Sequence, residues 1–560
     1  MFPKMEFQDK ETSNLCFLSF PETTGDVGDT IYTFRLKRQR DQNKKRKTNK
    51  YLYGFVFFRQ EKDSSISRGY LQKSVVLVSP HPYINLFTKV IGIVGPMYFE
   101  KGEFVFEAAN RNISAWPPHI SAIPSLLEGP KSELDLPFLG HILDLTSGIS
   151  LKNQRLNGDG MLEISPFTMH VSLYSTFSAI VSKLWTLWEL VILCEPILII
   201  SPSPQKSSDA VLALISLIHP LNYSGDFRPY FTIHDPDYNV FVDVCRGENQ
   251  KNGKPEKSVS GDRSYIIGVT NPIFKKEFAH WPHVIILDED AKKSGKKSSK
   301  TLVNAVNTKY KPLRTIDDEH SKILKKSPGT NLATAVNNEL LRRCMDEVTL
   351  RFMAPLVEHY PKSYLPEKRE YHPFKNPPPL APFKEEDFLK HLLKVGTKTK
   401  DIELYRRFIR TPNFVSWFRS KKRVGEQEII RTYINNMDPK KITPLLQGKS
   451  EVDIVDLWIR GNERKTALIK KEELANDLIA KYDTFLEALL GFLPEDIRKN
   501  MRLAPSKKFS TPAKTEKQPQ TEEPASPRNA INLSEYKPEP EEPEADPSTP
   551  LVNSEETKIT

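Results

Sequence analysis

Two aromatic and β-branched runs, YLYGFVFFRQ at 51–60 and SRGYLQKSVVLVS at 67–79, are separated only by the polar EKDSSI, a pattern that predicts an antiparallel hairpin. The run NLCFLSFP at 14–21 is expected to add a strand to the same sheet. In INLFTKVIGIVG, Ile84, Phe87, Ile91 and Val94 fall on one helical face. Residues 114–172 are interrupted by proline and glycine and show weak periodicity, so they read as a boundary linker with one strand-like piece near PFLGHILDL.

The next block alternates helix and strand signals. A helix is expected over 175–194, followed by ILII ending at Ile200, which is apolar at every position and so implies burial on both faces. SDAVLALISLI reads as a helix with Ser208 as N-cap and Asp209 in its first turn, where the helix dipole favours negative charge. Strands are then expected at Pro229–His234, within GDFRPYFTIHD (Gly225–Asp235), and at SYIIGVTNP and HVIILDED. Residues 291–331 are rich in Lys, Ser and Asn and read as a mobile linker. Helical spacing then takes over, with Leu341, Cys344 or Met345, Val348 and Phe352 on one stripe ahead of Pro355. After the proline-rich FKNPPPLAPF, further helices are expected at EEDFLKHLLKVG, ELYRRFIR, EVDIVDLWIR and KYDTFLEALLGFL. The fold class is a multidomain α/β chain: a strand-and-helix module over 1–150, an α/β module with a helix-covered sheet over 165–290, the 291–331 linker, a mainly α module over 332–504, and a disordered tail over 505–560.

Composition sharpens this picture in two places. Of 560 residues, 38% are hydrophobic and 27% charged, enough to bury sizeable cores but not throughout. The formal net charge is +10, yet 505–560 holds 7 Lys/Arg against 11 Asp/Glu, so a basic body carries an acidic, proline-rich tail. The tail offers Thr511 and Ser526 as proline-directed phosphorylation sites. Basic balance attracts nucleic acid, acidic proteins and anionic membranes alike. Cys16, Cys194, Cys245 and Cys344 are isolated, with neither CxxC pairs nor a disulfide framework, and a reducing cytosolic compartment is the simplest inference. The best apolar run, 177–200, is broken by Lys183, Glu189, Glu195 and Pro196, and a soluble protein without a secretory leader is expected.

Candidate chemistry is sparse. GxxxxGK[ST] is missing, because SGKKS near Gly295 lacks the upstream glycine and a following apolar helix. GDVGDT at 25–30 precedes a strand and reads as a turn. The twelve histidines supply no HExxH or other ligand spacing, and GxSxG does not occur, so no metal and no cofactor are expected. His234 beside Asp235 looks like part of a hydrolase pair, but strand neighbours point to opposite faces, which favours packing over catalysis. The run RLKRQRDQNKKRKTNK at 35–50 holds nine Lys/Arg and one Asp without stacking aromatics. It reads as a solvated hairpin loop, with contact to an anionic membrane or nucleic acid as the alternatives, and AKKSGKKSSK at 291–300 reads as a flexible insertion.

The segments LCFLSFPE, YLYGFVFFRQ with RGYLQKSVVLVS, WELVILCEPILIISPSP, VLALISLIHPLNYSGDFRPYFTIHD, IIGVTNP with HWPHVI, and LYRRFIRTPNFVSWF occur in this order and span about 15–503. Together they resemble the sixth subfamily of DENN-domain proteins, the family-with-similarity group 116. The resemblance implies an upstream longin-like module (1–150), a central DENN module (165–290) and a helical downstream module (332–504). It also implies guanine-nucleotide exchange on an endosomal Rab GTPase of the fourteen type in recycling traffic, without covalent chemistry. Family members carry an additional apolar strand ahead of the segment matching LCFLSFP, whereas this chain starts with a polar stretch, which leaves the first longin strand in question. The second reading is therefore a DENN scaffold that binds Rab as a trafficking adaptor without exchange. Because family clients bind across the first two modules, the resemblance points to Asp226, Arg228, Tyr230, Thr270 and Asn271 as partner contacts, with strand-end and turn fixing as their alternative role. A cytoplasmic protein peripherally attached to recycling endosomes, touching anionic membrane through 35–50 and not binding nucleic acid, is the corresponding expectation.

Overall fold

The computed structural model describes residues 7, 9–22, 28–38, 51–67, 69–116, 135–144, 171–246, 264–287, 305–314, 331–360, 362–470 and 476–503. Helix α1 (Asp9–Leu18) precedes three antiparallel strands in spatial order, β1 (Gly28–Lys37), β2 (Tyr51–Lys62) and β3 (Tyr70–Ser79). The expected hairpin is present, with Tyr53 opposite Ser79 and Lys62 opposite Tyr70. Period-two alternation gives this sheet two apolar faces. Tyr32, Phe34, Leu36, Val56 and Phe58 pack beneath Leu18 of α1, while Phe55 and Phe57 meet Leu86, Val90 and Val94 of α2 (Ile84–Lys101). Residues 14–18 are thus helical rather than the expected strand. Glu11, Asn14 and Leu18 are buried at helical spacing, and so short an apolar run does not by itself distinguish the two periods.

After α3 (Phe104–Ser114), the piece expected as one strand inside the linker is a small hairpin, β4 (Asp135–Phe138) and β5 (His141–Asp144). It turns on Leu139 (φ 50) and Gly140 (φ 82), the double left-handed geometry that matches strand twist. The expected 175–194 helix is interrupted: α4 (Leu173–Phe177) and α5 (Leu184–Ile192) are separated by a 3-10 stretch in which Ile180 leaves helical geometry at φ −126.

The second sheet has the order β10-β9-β6-β8-β7. β6 (Ile197–Ile200) lies at its centre, parallel to β8 (Tyr265–Val269) and β9 (His283–Ile286); β7 (Asp226–Arg228) pairs with β8 at one edge. ILII is buried at all four positions: Ile197 and Ile199 join the large core, Leu198 and Ile200 the opposite one with Phe231, Phe274 and Trp281. The expected Pro229–His234 strand stops at Arg228. Pro229 has no N–H to extend the ladder, Phe231 N still donates to Gly268 O (2.9 Å), and the chain then turns, with Asp235 N donating to Thr232 O (3.1 Å), into α7 (Tyr238–Arg246).

Helix α6 (Pro204–Ile215) begins at Ser203, whose hydroxyl accepts from Lys206 N at 3.3 Å, with Pro204 in the first helical position. Ser208, the expected cap, is therefore buried inside the helix, and Asp209 lies in its interior rather than its first turn. Beyond the short α8 (Phe274–Glu277), the expected 291–331 linker contains structure. β10 (Ala305–Thr308) adds antiparallel to β9, and buried Glu189 accepts from Tyr310 Oη (2.7 Å), Leu313 N (2.8 Å) and Arg314 N (2.8 Å). A carboxylate meeting three donors fixes 310–314 to α5.

Helix α9 (Asn331–His359) runs through Pro355, and buries Leu341, Cys344, Met345, Val348 and Phe352 as the stripe predicts. α10 (Glu385–Lys394), α11 (Thr399–Phe408) and helices at Pro412–Asn435, Ile442–Leu446, Glu451–Lys470, Asn476–Leu490 and Glu495–Leu503 follow. One apolar core extends from Phe55 and Leu86 through Trp188 to Phe352, Tyr405 and Trp417. Trp188, fully buried, donates to Thr349 Oγ1 (2.9 Å) and meets Phe352 edge-on at 5.6 Å. α5 ends with Cys194 at φ 56, and Asn413 Nδ2 donates to the carbonyls of Val191 and Ile192 (both 3.1 Å) while its Oδ1 accepts from Ser224 N (2.8 Å). The described residues up to Arg498 form one compact unit; of the unit Lys499–Thr560, only 499–503, the end of the last helix, are described. Residues 39–50, 288–304 and the 505–560 tail with Thr511 and Ser526 lie outside the described residues. Among the described residues, Cys16, Cys194 and Cys344 are not joined in disulfides. Among the described residues, no helix is long and apolar enough to cross a membrane.

Two outcomes follow from these contacts. Asn413→Ala removes the cap of α5, taking a donor from the Ile192 carbonyl and the acceptor from Ser224 N while Val191 O still accepts from Cys194 N, and should cost about 1–3 kcal/mol in urea unfolding; an unchanged midpoint would contradict the cap. Desolvation pushes the Asp209 carboxyl up to about 6. A raised folded value favours folding at low pH and loses that contribution as pH rises through it, so Asp209→Asn should stabilise by about 1–2 kcal/mol above pH 7 and by nothing near pH 4. A gain that does not vary over that pH range would show that ionisation is not its source.

Candidate functional site

β7 places Asp226 and Arg228 two residues apart, on one side of an edge strand, where the second sheet meets β1 of the first. Arg228 is 1% exposed. Its Nε and Nη2 donate to the two oxygens of Asp226 (3.3 and 3.2 Å), Nη1 to Asp235 Oδ2 (3.4 Å), and Nη2 to Asp237 Oδ2 (2.6 Å). From the other sheet, Arg35 Nη1 reaches Asp226 Oδ1 at 3.2 Å and the carbonyl of Phe227 at 3.3 Å, while Lys37 Nζ reaches Asp237 at 3.4 Å. The Arg35 guanidinium lies 3.5 Å over the Tyr51 ring and 4.1 Å over that of Phe227. Three cations thus face three carboxylates across the two sheets.

The protonation states follow from this balance. Burial alone would raise the Asp226 carboxyl, but Arg228 and Arg35 together hold it below the usual carboxylate range. For Asp235 burial prevails over Arg228, and its carboxyl is pushed up. Burial opposes charge on Arg228, yet the neighbouring aspartates overcome it and hold the guanidinium protonated.

Tyr230 crosses in the same direction. Its ring packs edge-on to Tyr32 at 5.3 Å within the α1-facing core, and its hydroxyl accepts from Glu22 N (2.9 Å) and donates to Phe20 O (3.3 Å). Glu22 in turn accepts from Ile233 N at 3.0 Å. Thr270 is buried at the end of β8, and Asn271 Oδ1 accepts from Ile273 N (3.1 Å), fixing the turn before α8. Of the five residues singled out from sequence, Arg228, Tyr230 and Thr270 are closed off from solvent, Asp226 is mostly covered, and Asn271 is half-buried. They support a surface from beneath.

The surface above them is formed by the end of α1 and the 231–237 turn. Phe17 (44% exposed) stacks on His234 with centroids 4.0 Å apart, joining the end of α1 to the turn after β7, and Phe20 (40%) and Ile233 (39%) are exposed apolar side chains of the same two segments. His234 and Asp235 are not a catalytic pair: Asp235 is bound by Arg228 and His234 by Phe17. A turn, rather than strand alternation, separates them. Among the described residues no group of three or more His, Cys, Asp or Glu is arranged to hold a metal ion, and the aspartate cluster is filled by arginine.

Arg35, Asp237, Phe17, Phe20 and Glu22 were not among the sequence candidates. Arg35 opens the basic 35–50 run expected as a loop, but residues 35–37 belong to β1; alternation of Tyr32, Phe34 and Leu36 is the signal that continues the strand through it. The membrane contact expected for that run rests on 39–50, outside the described residues.

A family model described as transport protein Avl9 matches residues 2–224, and one described as stabilization of polarity axis matches 170–293. The chain is 34% identical over 541 residues to protein DENND6A of Gallus gallus, covering 89% of this chain and 88% of that one. It is 33% identical over 567 residues to the protein DENND6 homolog of Dictyostelium discoideum (87% and 77%), and 31% identical over 536 residues to protein DENND6B of Mus musculus (88% and 87%).

Replacing Arg228 by Met leaves three carboxylates around an apolar side chain and should cost about 3–5 kcal/mol at pH 7.5. Without the cation, burial is opposed by less positive charge at Asp226 and Asp235 and both carboxyls move up, so the deficit should shrink as pH falls toward 5. Urea unfolding at both pH values tests this; a deficit independent of pH would assign the loss to packing alone.

Proposed function

The chain belongs to the DENND6 family of DENN-domain proteins, and from that premise we propose that it is a guanine-nucleotide exchange factor that promotes GDP release from an endosomal Rab GTPase of the fourteen type in recycling traffic. The observation that carries this reading is likeness to DENND6 proteins at 30–34% identity over nearly nine-tenths of the chain, together with the family model described as a transport protein. In this reading the first sheet is the longin-like module and the second the DENN module. The client docks on Phe17, Phe20 and Ile233, with Asn271 at the rim and Asp226, Arg228, Tyr230 and Thr270 holding the two halves of the surface in register.

An exchange factor needs no covalent step. It binds the nucleotide-free GTPase more tightly than the loaded one, and by linkage it weakens nucleotide affinity by the same factor. Remodelling of switch loops is the usual structural route, and it requires a surface that does not yield as the client distorts. The charge pairs that cross the join, Arg35 with Asp226 and Lys37 with Asp237, serve that requirement, because separating the sheets would break both.

The test is fluorescent GDP release from a panel of endosomal Rab GTPases with the full chain. Acceleration on at least one client is expected, and Phe17→Asp or Ile233→Asp should lower kcat/KM about tenfold or more, with an unchanged unfolding midpoint. No acceleration across the panel, with equal binding to GDP-loaded, GTP-loaded and empty Rab, would replace exchange by the adaptor reading.

A further inference from the structure

Leu393 and Val395 are 64% and 66% exposed, two residues apart at the tip between α10 and α11, while Phe388 and Leu392 of the same helix are fully buried. Isolated exposed aliphatics are ordinary; the surroundings of this pair are not. From Phe388 to Lys400 the chain has no Asp or Glu and carries Lys390, Lys394, Lys398 and Lys400, all exposed. None of the four pairs with a carboxylate among the described residues; of the nearby acids, Glu385 is engaged with Arg410 (3.5 Å), Asp401 with Arg314 (3.5 Å) and Glu403 with Arg406 (2.7 Å), while Glu386 and Asp387 stand exposed in the first turn of α10, away from the tip.

Helix energetics explain two of these lysines and not the others: Lys390 follows Glu386 at the favourable i,i+4 spacing on α10. Lys394, in the last turn of α10, complements the negative end of the helix dipole. Lys398 is the N-cap of α11, without a side-chain cap bond, and Lys400 lies in its first turn, where positive charge is unfavourable. The tip is also pre-shaped. α10 closes with Gly396 at φ 78, Gly396 N donating to Leu393 O and Thr397 N to Leu392 O, both at 3.1 Å. Presenting the pair therefore requires little further ordering.

We propose that this turn is a membrane-contact tip, with Leu393 and Val395 entering the headgroup–acyl boundary of an anionic bilayer while Lys390, Lys394, Lys398 and Lys400 lie against the lipid phosphates. Charge complementarity selects the occupant: an apolar protein groove would accept the aliphatics but leave four unpaired cations without partners, and an acidic polypeptide would leave the aliphatics in water. Neither signal suffices alone, since a small apolar insertion gives only marginal partition and lysines attract anionic lipid at about 1 kcal/mol each; together they give a reversible anchor. The tip shares no residue with the patch at the end of α1 and the turn after β7 or with the basic run 35–50.

The full chain is sedimented with vesicles of phosphatidylcholine alone or with about 30% phosphatidylserine, at low and high salt. Binding should require the anionic lipid and weaken with salt. Leu393→Ser with Val395→Ser should lower partition roughly tenfold, and Lys394→Ala with Lys398→Ala and Lys400→Ala on the order of a hundredfold. Both variants substitute exposed side chains, so their unfolding midpoints should match the parent chain. Val395→Trp should shift its emission to the blue with anionic but not neutral vesicles. Absence of binding to anionic vesicles, full binding by the serine variant, or an unshifted tryptophan would each overturn the proposal, the second by assigning membrane attachment to another segment such as 35–50. No GTPase is present in the assay, so its outcome is independent of exchange activity.

Discussion

The structure depends on one buried cation. Arg228 sits at the end of a three-residue strand, and its guanidinium is shared among Asp226, Asp235 and Asp237, two of which are also reached by Arg35 and Lys37 from the other sheet. Removing such a group from water costs several kcal/mol unless every donor finds an acceptor, so the turn after β7, the register of β1 and the approach of the two sheets are tied to one geometry. Ion pairing of this kind contributes little net stability compared with apolar packing. Its effect is specificity: alternative docking of the sheets leaves charge without a partner.

The same logic recurs where the sheets meet the helices. Glu189 gathers the 310–314 segment, and Asn413 caps α5 from the start of the Pro412–Asn435 helix. Apolar area supplies the driving force, with Trp188, Phe352 and Tyr405 at the centre of a core shared by residues from 53 to 417. The polar clasps decide where each element stops. Under the proposed exchange role, in which the chain would hold another protein in a less favourable state, a scaffold closed by directional bonds is a physical requirement rather than an ornament.

The two surfaces proposed for contact differ in chemistry. Phe17, Phe20, Ile233 and His234 are supplied by the end of α1 and the turn after β7, the kind of mixed aromatic relief a folded partner can match. Leu393 and Val395 stand among unpaired lysines on a single turn, which suits a laterally fluid, anionic interface. A GTPase held by one surface and a bilayer by the other would be brought together without any further domain.

Legibility in the sequence followed periodicity and length. ILII, the 51–79 hairpin and the stripe Leu341–Phe352 were readable because burial imposes an apolar pattern that no local competitor imitates. Short or polar segments were not: 14–18 satisfies a helix as well as a strand, Ser203–Pro204 outcompetes Ser208 as a start signal, and Pro229 ends a strand that alternation would prolong. For the site, sequence supplied Asp226, Arg228 and Tyr230 with partner contact and strand-end fixing both open, and read Arg35 as part of a loop. What the sequence by itself determined is which residues must leave water, since transfer free energy belongs to each side chain. Which polar groups accompany them inside was decided only by tertiary structure: Arg35, Lys37 and Glu22 lie 190 or more residues from the partners that hold them, and a hydrogen bond exists only when folding brings both ends together.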